Sequence, residues 1–156
     1  GNSDIHDPSI DYVYTPKKHR TLTLVFAKER SVKSIREALN AGRTAVWVEN
    51  RLIGREAYLR PLFEQCITIE SSGSISDEAD AVINISNRAL IDFELHGNGT
   101  SKQTAITIPA RSSITIKKAP SEPNQEGTFS YIVTNLLIGP GKGLPIEWTA
   151  SVPQVQ

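Results

Sequence analysis

The chain has 156 residues, 38% of them apolar, with seventeen basic side chains balancing seventeen acidic ones. That length suits one ordinary domain or two small ones, and the charge balance argues against a nucleic-acid or anionic-membrane binder driven by bulk charge. No apolar run approaches the ~20 residues of a membrane span, the start does not resemble a signal peptide, and the single Cys66 excludes an internal disulfide and a cysteine-rich zinc site.

The sequence holds no methionine. The expectation is therefore an internal or C-terminal piece of a longer protein, with Gly1 as a cleavage scar. Localisation stays open on this reading, with a periplasmic or secreted parent among the alternatives.

The first segment, "NSDIHDP", pairs Asp4 with His6. Residues two apart on an extended strand point to the same face. A D-x-H pair at a strand end thus aims a carboxylate oxygen and a ring nitrogen at one point, a donor mixture that zinc, manganese and iron accept. Spacing by itself leaves open a polar surface loop. "PKKHR" (16–20) is a short basic run that reads as solvated surface, with phosphate contact as the alternative.

"TLTLVFA" reads as a strand of β-branched and large apolar residues, and "RSVKSIREALNAGR" as a helix. Ser31 is its expected N-cap and Gly42 its left-handed C-terminal stop. Val32, Ile35, Ala38 and Leu39 recur at helical spacing and form one apolar stripe. "TAVWV" is a second strand. Strand, helix, strand in this order predicts a βαβ unit of a parallel sheet. "GREAYLRPLFEQC" is helical again, with Pro61 expected to kink it or to start a second helix. Arg55 is expected to pair with neighbours of Glu56 or with a carboxylate across the fold, and Cys66 to be a small buried hydrophobe.

Residue 71 begins a polar link, "SSGSISDEAD", and the texture changes. "ADAVINISN", "ALIDFELHG", "TAITIPA", "SSITIKK", "GTFSYIVTNLLIG" and "LPIEWTASV" alternate apolar and polar residues, which predicts an antiparallel sandwich with one face inward and one in water. Pro109 marks an edge or a bend. "GPGKG" (139–143) lacks the spacing of a phosphate-binding loop and reads as a hairpin connection. Trp47 and Trp148 sit in apolar strands and read as core residues rather than sugar platforms. The sequons at Asn84 and Asn98 carry little weight.

Taken together with its neighbours, "NSDIHDP" resembles the last metal-binding motif of the polymerase and histidinol phosphatase (PHP) family. The run "TLTLVFAKERSVKSIREALNAGRTAVWVENRLIGREAYLRPLFE" is similar to the terminal part of PHP-type bacterial phosphodiesterases, and the resemblance covers about residues 2–66. It implies a partial α/β fold, the tail of a distorted barrel of seven parallel strands, over 1–70, followed by an appended Ig-like β-sandwich over 71–156. It also implies a metal-dependent phosphoesterase in which metal-activated water attacks a phosphate-ester small molecule. Divalent zinc, manganese or iron ions would be held in part by Asp4 and His6. The remaining ligands of the family have no counterpart here, and His19 and His96 do not replace them. The chain by itself is thus expected to carry no catalytic residue and no phosphatase activity. The alternative is a non-catalytic β-sandwich module that binds a partner or a glycan or supports the barrel. Unpaired sheet edges are an expected route to self-association.

Overall fold

A computed structural model describes residues 19–72, 81–97, 105–118 and 127–150. The elements in chain order are β1 (Leu22–Val25), α1 (Val32–Asn40), β2 (Thr44–Val48), β3 (Arg51–Gly54), α2 (Glu56–Cys66), β4 (Ile67–Ser72), β5 (Ala81–Asn87), β6 (Phe93–Gly97), β7 (Ile106–Ile108), β8 (Ser112–Lys118), β9 (Gly127–Gly139) and β10 (Lys142–Ala150). The described chain is thus mostly β, with two helices. It divides into two compact units: residues 1–63 with 134–144, and 64–133 with 145–156. β9 and β10 contribute residues to both.

In the first unit the strand order is β1, β2, β3, β9. β1 and β2 pair antiparallel, Leu22 opposite Trp47 and Val25 opposite Thr44. This corrects the expectation of a parallel βαβ unit. A parallel crossover must carry the chain back along the sheet before the second strand begins. Here α1 is inserted into a hairpin connection instead. The Phe26 amide donates to the Arg43 carbonyl at 3.0 Å, so the chain re-enters the sheet beside the point where it left. β3 follows β2 as a second antiparallel partner after the two-residue turn Glu49-Asn50. The parallel pairing of this unit joins distant segments, Leu52 and Ile53 of β3 with Leu136 and Leu137 of β9.

Local chemistry sets both ends of α1. The Ser31 hydroxyl accepts the Ser34 amide at 3.1 Å, closing the first turn. At the other end the Gly42 amide donates to the Leu39 carbonyl and the Arg43 amide to the Ala38 carbonyl. Those two bonds are a Schellman stop, and it needs a left-handed residue. Gly42 supplies it with φ +65°. The helix turns Ser34 and Ala38 inward and leaves Val32, Ile35 and Leu39 exposed. The predicted stripe therefore exists but faces out, apart from Ala38. The small residues face in because α1 is held close to the strand ends. The Ser34 hydroxyl accepts the Lys28 amide at 3.0 Å, a contact a larger side chain could not make.

α2 is one helix through Pro61, not two. Its inward residues Leu59 and Phe63 are almost completely buried. Each contributes about 1.5–3 kcal/mol by leaving water. Glu56 pairs with Arg60 at 2.6 Å, one helical turn on. The Arg55 guanidinium lies beside Gly42. Phe26 stacks on Tyr58 with ring centres 5.4 Å apart.

In the second unit β4, β5 and β8 form a three-stranded antiparallel sheet, and β9, β6 and β7 follow one another in another, with β10 beside β9. The alternation read from the sequence appears directly in the register. Ile85 faces Ile69 and Ile114 across the strands, while Asn84 faces Glu70 and Thr115. Ile83, Ile85, Phe93, Leu95, Ile108, Tyr131 and Val133 are buried. The opposite face is polar and bonded to itself: Ser86 and Ser113 share a hydrogen bond of 2.8 Å, and Thr115 donates to Asn84 at 2.8 Å. Pro140 and Gly141 make the tight connection between β9 and β10, with Gly141 at φ +64°.

Two outcomes follow. A Cβ at residue 42 would meet the Arg55 guanidinium only at ordinary contact distance, so Gly42→Ala tests the left-handed backbone itself. It should lower unfolding free energy by about 1–2 kcal/mol in urea denaturation. Phe63→Ala should cost about 3–5 kcal/mol in the same assay, because the cavity it leaves has little room to collapse.

Candidate functional site

Asp4 and His6, the two residues that the sequence singles out as metal ligands, lie outside the described residues, as do Pro16, Lys17 and Lys18 of the basic run. Among the described residues no group of three or more His, Cys, Asp or Glu converges as a metal site would require. The described part therefore does not by itself fit a resident metal, and any ligand set has to draw on residues beyond it.

The described end of the basic run departs from the expected solvated loop. His19 is buried, packed edge-on against Trp47 with ring centres 4.4 Å apart. Its Nδ1 stands 2.6 Å from the Arg20 carbonyl. A carbonyl only accepts, so Nδ1 carries the proton of that bond. His19 Nε2 and Arg20 Nε are both buried without a hydrogen-bond partner. Trp47 in turn donates from Nε1 to the Glu49 carbonyl at 2.9 Å. Trp47 is half-buried and stands outside the buried core, which departs from the core position read from its apolar strand. Trp148 stands against Tyr131, ring centres 5.6 Å apart.

The clearest polar cluster of the second unit escaped the sequence reading. Asn87, buried at the end of β5, donates from Nδ2 to the carbonyls of Ile91 (2.9 Å), Ile108 (3.1 Å) and Pro109 (3.1 Å) and accepts the Ala89 amide at 2.8 Å. Asp92 accepts the Ala110 amide at 2.8 Å. Together they tie the loop after β5 to the turn after β7. The signal was present: Ile83, Ile85, Asn87 is an inward-facing series in which the third member is polar. The partners named are backbone groups, so these two side chains clamp the loops together.

Titratable groups support the same reading. Glu37 receives both Arg43 guanidinium nitrogens, at 2.9 and 2.6 Å. The Arg43 hydrogen bond holds the Glu37 carboxyl below its usual range and raises the guanidinium further. Arg43 also donates from Nε to the Phe26 carbonyl at 3.2 Å, pinning α1 to the end of β1. Burial pushes the half-buried Cys66 thiol up, which disfavours the thiolate a nucleophile needs. No helix among the described residues is long and apolar enough to cross a membrane.

Comparison with known proteins places these observations. Among curated proteins there is no match. A solved structure, a two-domain protein containing a predicted PHP-like metal-dependent phosphoesterase from Bacteroides vulgatus ATCC 8482, is similar at 34% identity with a TM-score of 0.77. The likeness covers 85% of this chain but 39% of that one. Residues 67–149, just over half of the chain, match the profile of a family described as an Ig-like domain. The match takes in β4 through most of β10, the segment whose strands alternate and pair as described above, and the chain belongs to that Ig-like domain family.

Proposed function

We propose that this chain is the C-terminal part of a two-domain metal-dependent phosphoesterase of the PHP type. In this reading residues 1–70 end the phosphoesterase domain and 71–156 form its Ig-like accessory domain. The observation that carries it is the extent of the likeness to the Bacteroides protein. Eighty-five per cent of the chain is more than the Ig-like match can supply, so the similarity extends into residues outside 67–149. The motif run "LVFAKER", "AGRT" and "LIGRE", which resembles PHP-type phosphodiesterases, lies in that remainder.

Asp4 and His6 would supply an oxygen and a nitrogen donor to divalent zinc, manganese or iron. Such ions, when bound, activate water and offset charge on phosphoryl oxygens. The Ig-like family match fits a non-catalytic accessory module, which is the role this reading gives to 71–156. Its second use, binding a partner protein or glycan, is less favoured. On the β4–β5–β8 sheet the outward hydroxyl and amide groups of Asn84, Ser86, Ser113 and Thr115 are bonded to one another. The edge strand β1 of the first unit remains the proposed route for self-association.

The test uses the longer polypeptide containing this chain, loaded with manganese or zinc. Asp4→Ala with His6→Ala should lower bound metal and reduce hydrolysis of bis(p-nitrophenyl) phosphate by about 100-fold or more. The 156-residue chain should show none. A double variant that keeps its metal content and rate would remove both residues from the site.

A further inference from the structure

The register of the first unit sorts its strand residues onto two faces of one sheet. Thr23, Val46 and Ile53 stand opposite one another across β1, β2 and β3, and Leu137 of β9 stands opposite Ile53. Cross-strand partners share a face, and residues two apart return to it, so Val25 and Val48 belong to the same side. Ala45, Leu52 and Leu136 alternate with these and belong to the other side.

The two faces differ in burial but not in chemistry. Ala45, Leu52 and Leu136 are 1%, 4% and 1% exposed. On the first face Val25, Val46, Val48 and Leu137 are only half-buried, and Ile53 is 41% exposed. An antiparallel sheet with one face in water carries polar residues there. The β4–β5–β8 sheet is built that way, with Asn84 bonded to Thr115 and Ser86 to Ser113 on its outer side. The sheet of the first unit instead carries five aliphatic side chains on its less buried face. That is the composition of strands covered on both sides.

We propose that this face seats the part of the phosphoesterase domain that precedes this chain, which lays an apolar layer over β1, β2, β3 and the end of β9. The proposal rests on the reading that residues 1–70 end such a domain. Two observations select the occupant. The likeness to the two-domain Bacteroides protein takes in 85% of this chain but 39% of that one. Because this chain holds the Ig-like segment, the share of such a polypeptide outside it falls to the phosphoesterase domain. Val25 and Ile53 also lie in "LVFAKER" and "LIGRE", the motifs that resemble that domain, so the face is borne by its own strands. Arg51, opposite Val48, stands at the border of the face, and the residues within it are uncharged. An apolar cover fits them, and a charged partner would find nothing to pair with.

Hydroxyl-radical footprinting of the 156-residue chain and of the longer polypeptide tests the proposal. Oxidation of Val46, Ile53 and Leu137 should fall severalfold in the longer polypeptide, with the exposed Leu90 of the Ig-like segment as the internal control. Thr23→Lys with Ile53→Lys places charge at two exposed positions on either side of Val46. It should leave the melting temperature of the 156-residue chain unchanged and lower that of the longer polypeptide. Equal oxidation in both chains would overturn the proposal, and so would a longer polypeptide that tolerates the double variant as the short chain does. Protection that grows with the concentration of the short chain marks a second copy as the occupant and overturns it too. Hydrolysis of bis(p-nitrophenyl) phosphate, measured on the same preparations, separates the two readings. Hydrolysis with an unprotected face sinks the covered face alone, and protection without hydrolysis sinks the phosphoesterase alone.

Discussion

A single backbone contact, the Phe26 amide on the Arg43 carbonyl, determines much of the first unit. It requires the chain to come back to β1 at the place where it departed. β2 must then run antiparallel, and everything between must project beyond the strand ends. A helix in that position can lean on the sheet along only one narrow side, so small residues, Ser34 and Ala38, form its contact. Arg43 reinforces the closure from the side-chain level. It reaches the Phe26 carbonyl and the Glu37 carboxylate at once, joining strand, helix and return segment.

The second unit depends on a different economy. Its strands are short, and the loop after β5 contains buried Ile91 and Asp92. Backbone groups carried inward by such a loop need partners. Asn87 serves three carbonyls and one amide, and Asp92 serves another amide. These side chains take the place of ladder bonds where the strands stop. β9 shows a related adjustment. Its inward series runs Tyr131, Val133, Asn135, and then Leu136 is buried as well. The alternation breaks near the point where its pairing changes from antiparallel with β6 to parallel with β3.

Legibility in the sequence follows the range of the interaction involved. The strands β2, β8 and β9 coincide with runs chosen by alternation or β-branching, and the caps Ser31 and Gly42 with positions chosen by turn chemistry, because those signals are local. β3 was not read as a strand. "RLIG" has only four residues and is flanked by a turn and a helix, and one of its partners, Leu136, lies more than eighty residues away. The direction of β2 is hidden for the same reason: the order of elements does not reveal where a chain re-enters a sheet. Helical periodicity located the stripe on α1 but could not say which side would face out, since that depends on which residues are small enough to touch the strands. The Asp4 and His6 pair lies outside the described residues, and the rest of a ligand set belongs to no pattern in these 156 residues. His19 was legible as a residue type only. Its burial beside Trp47 arises from packing across strands, which the basic composition of "PKKHR" concealed.

The arrangement of Cys66 has a practical corollary. It closes α2 and is followed at once by β4, its carbonyl taken by the Arg88 amide at 2.9 Å. With the residue half-buried and burial pushing its thiol up, Cys66 is disfavoured as the attacking thiolate of disulfide exchange. Molecules carrying this segment can meet in an oxidising medium without readily becoming cross-linked through sulfur.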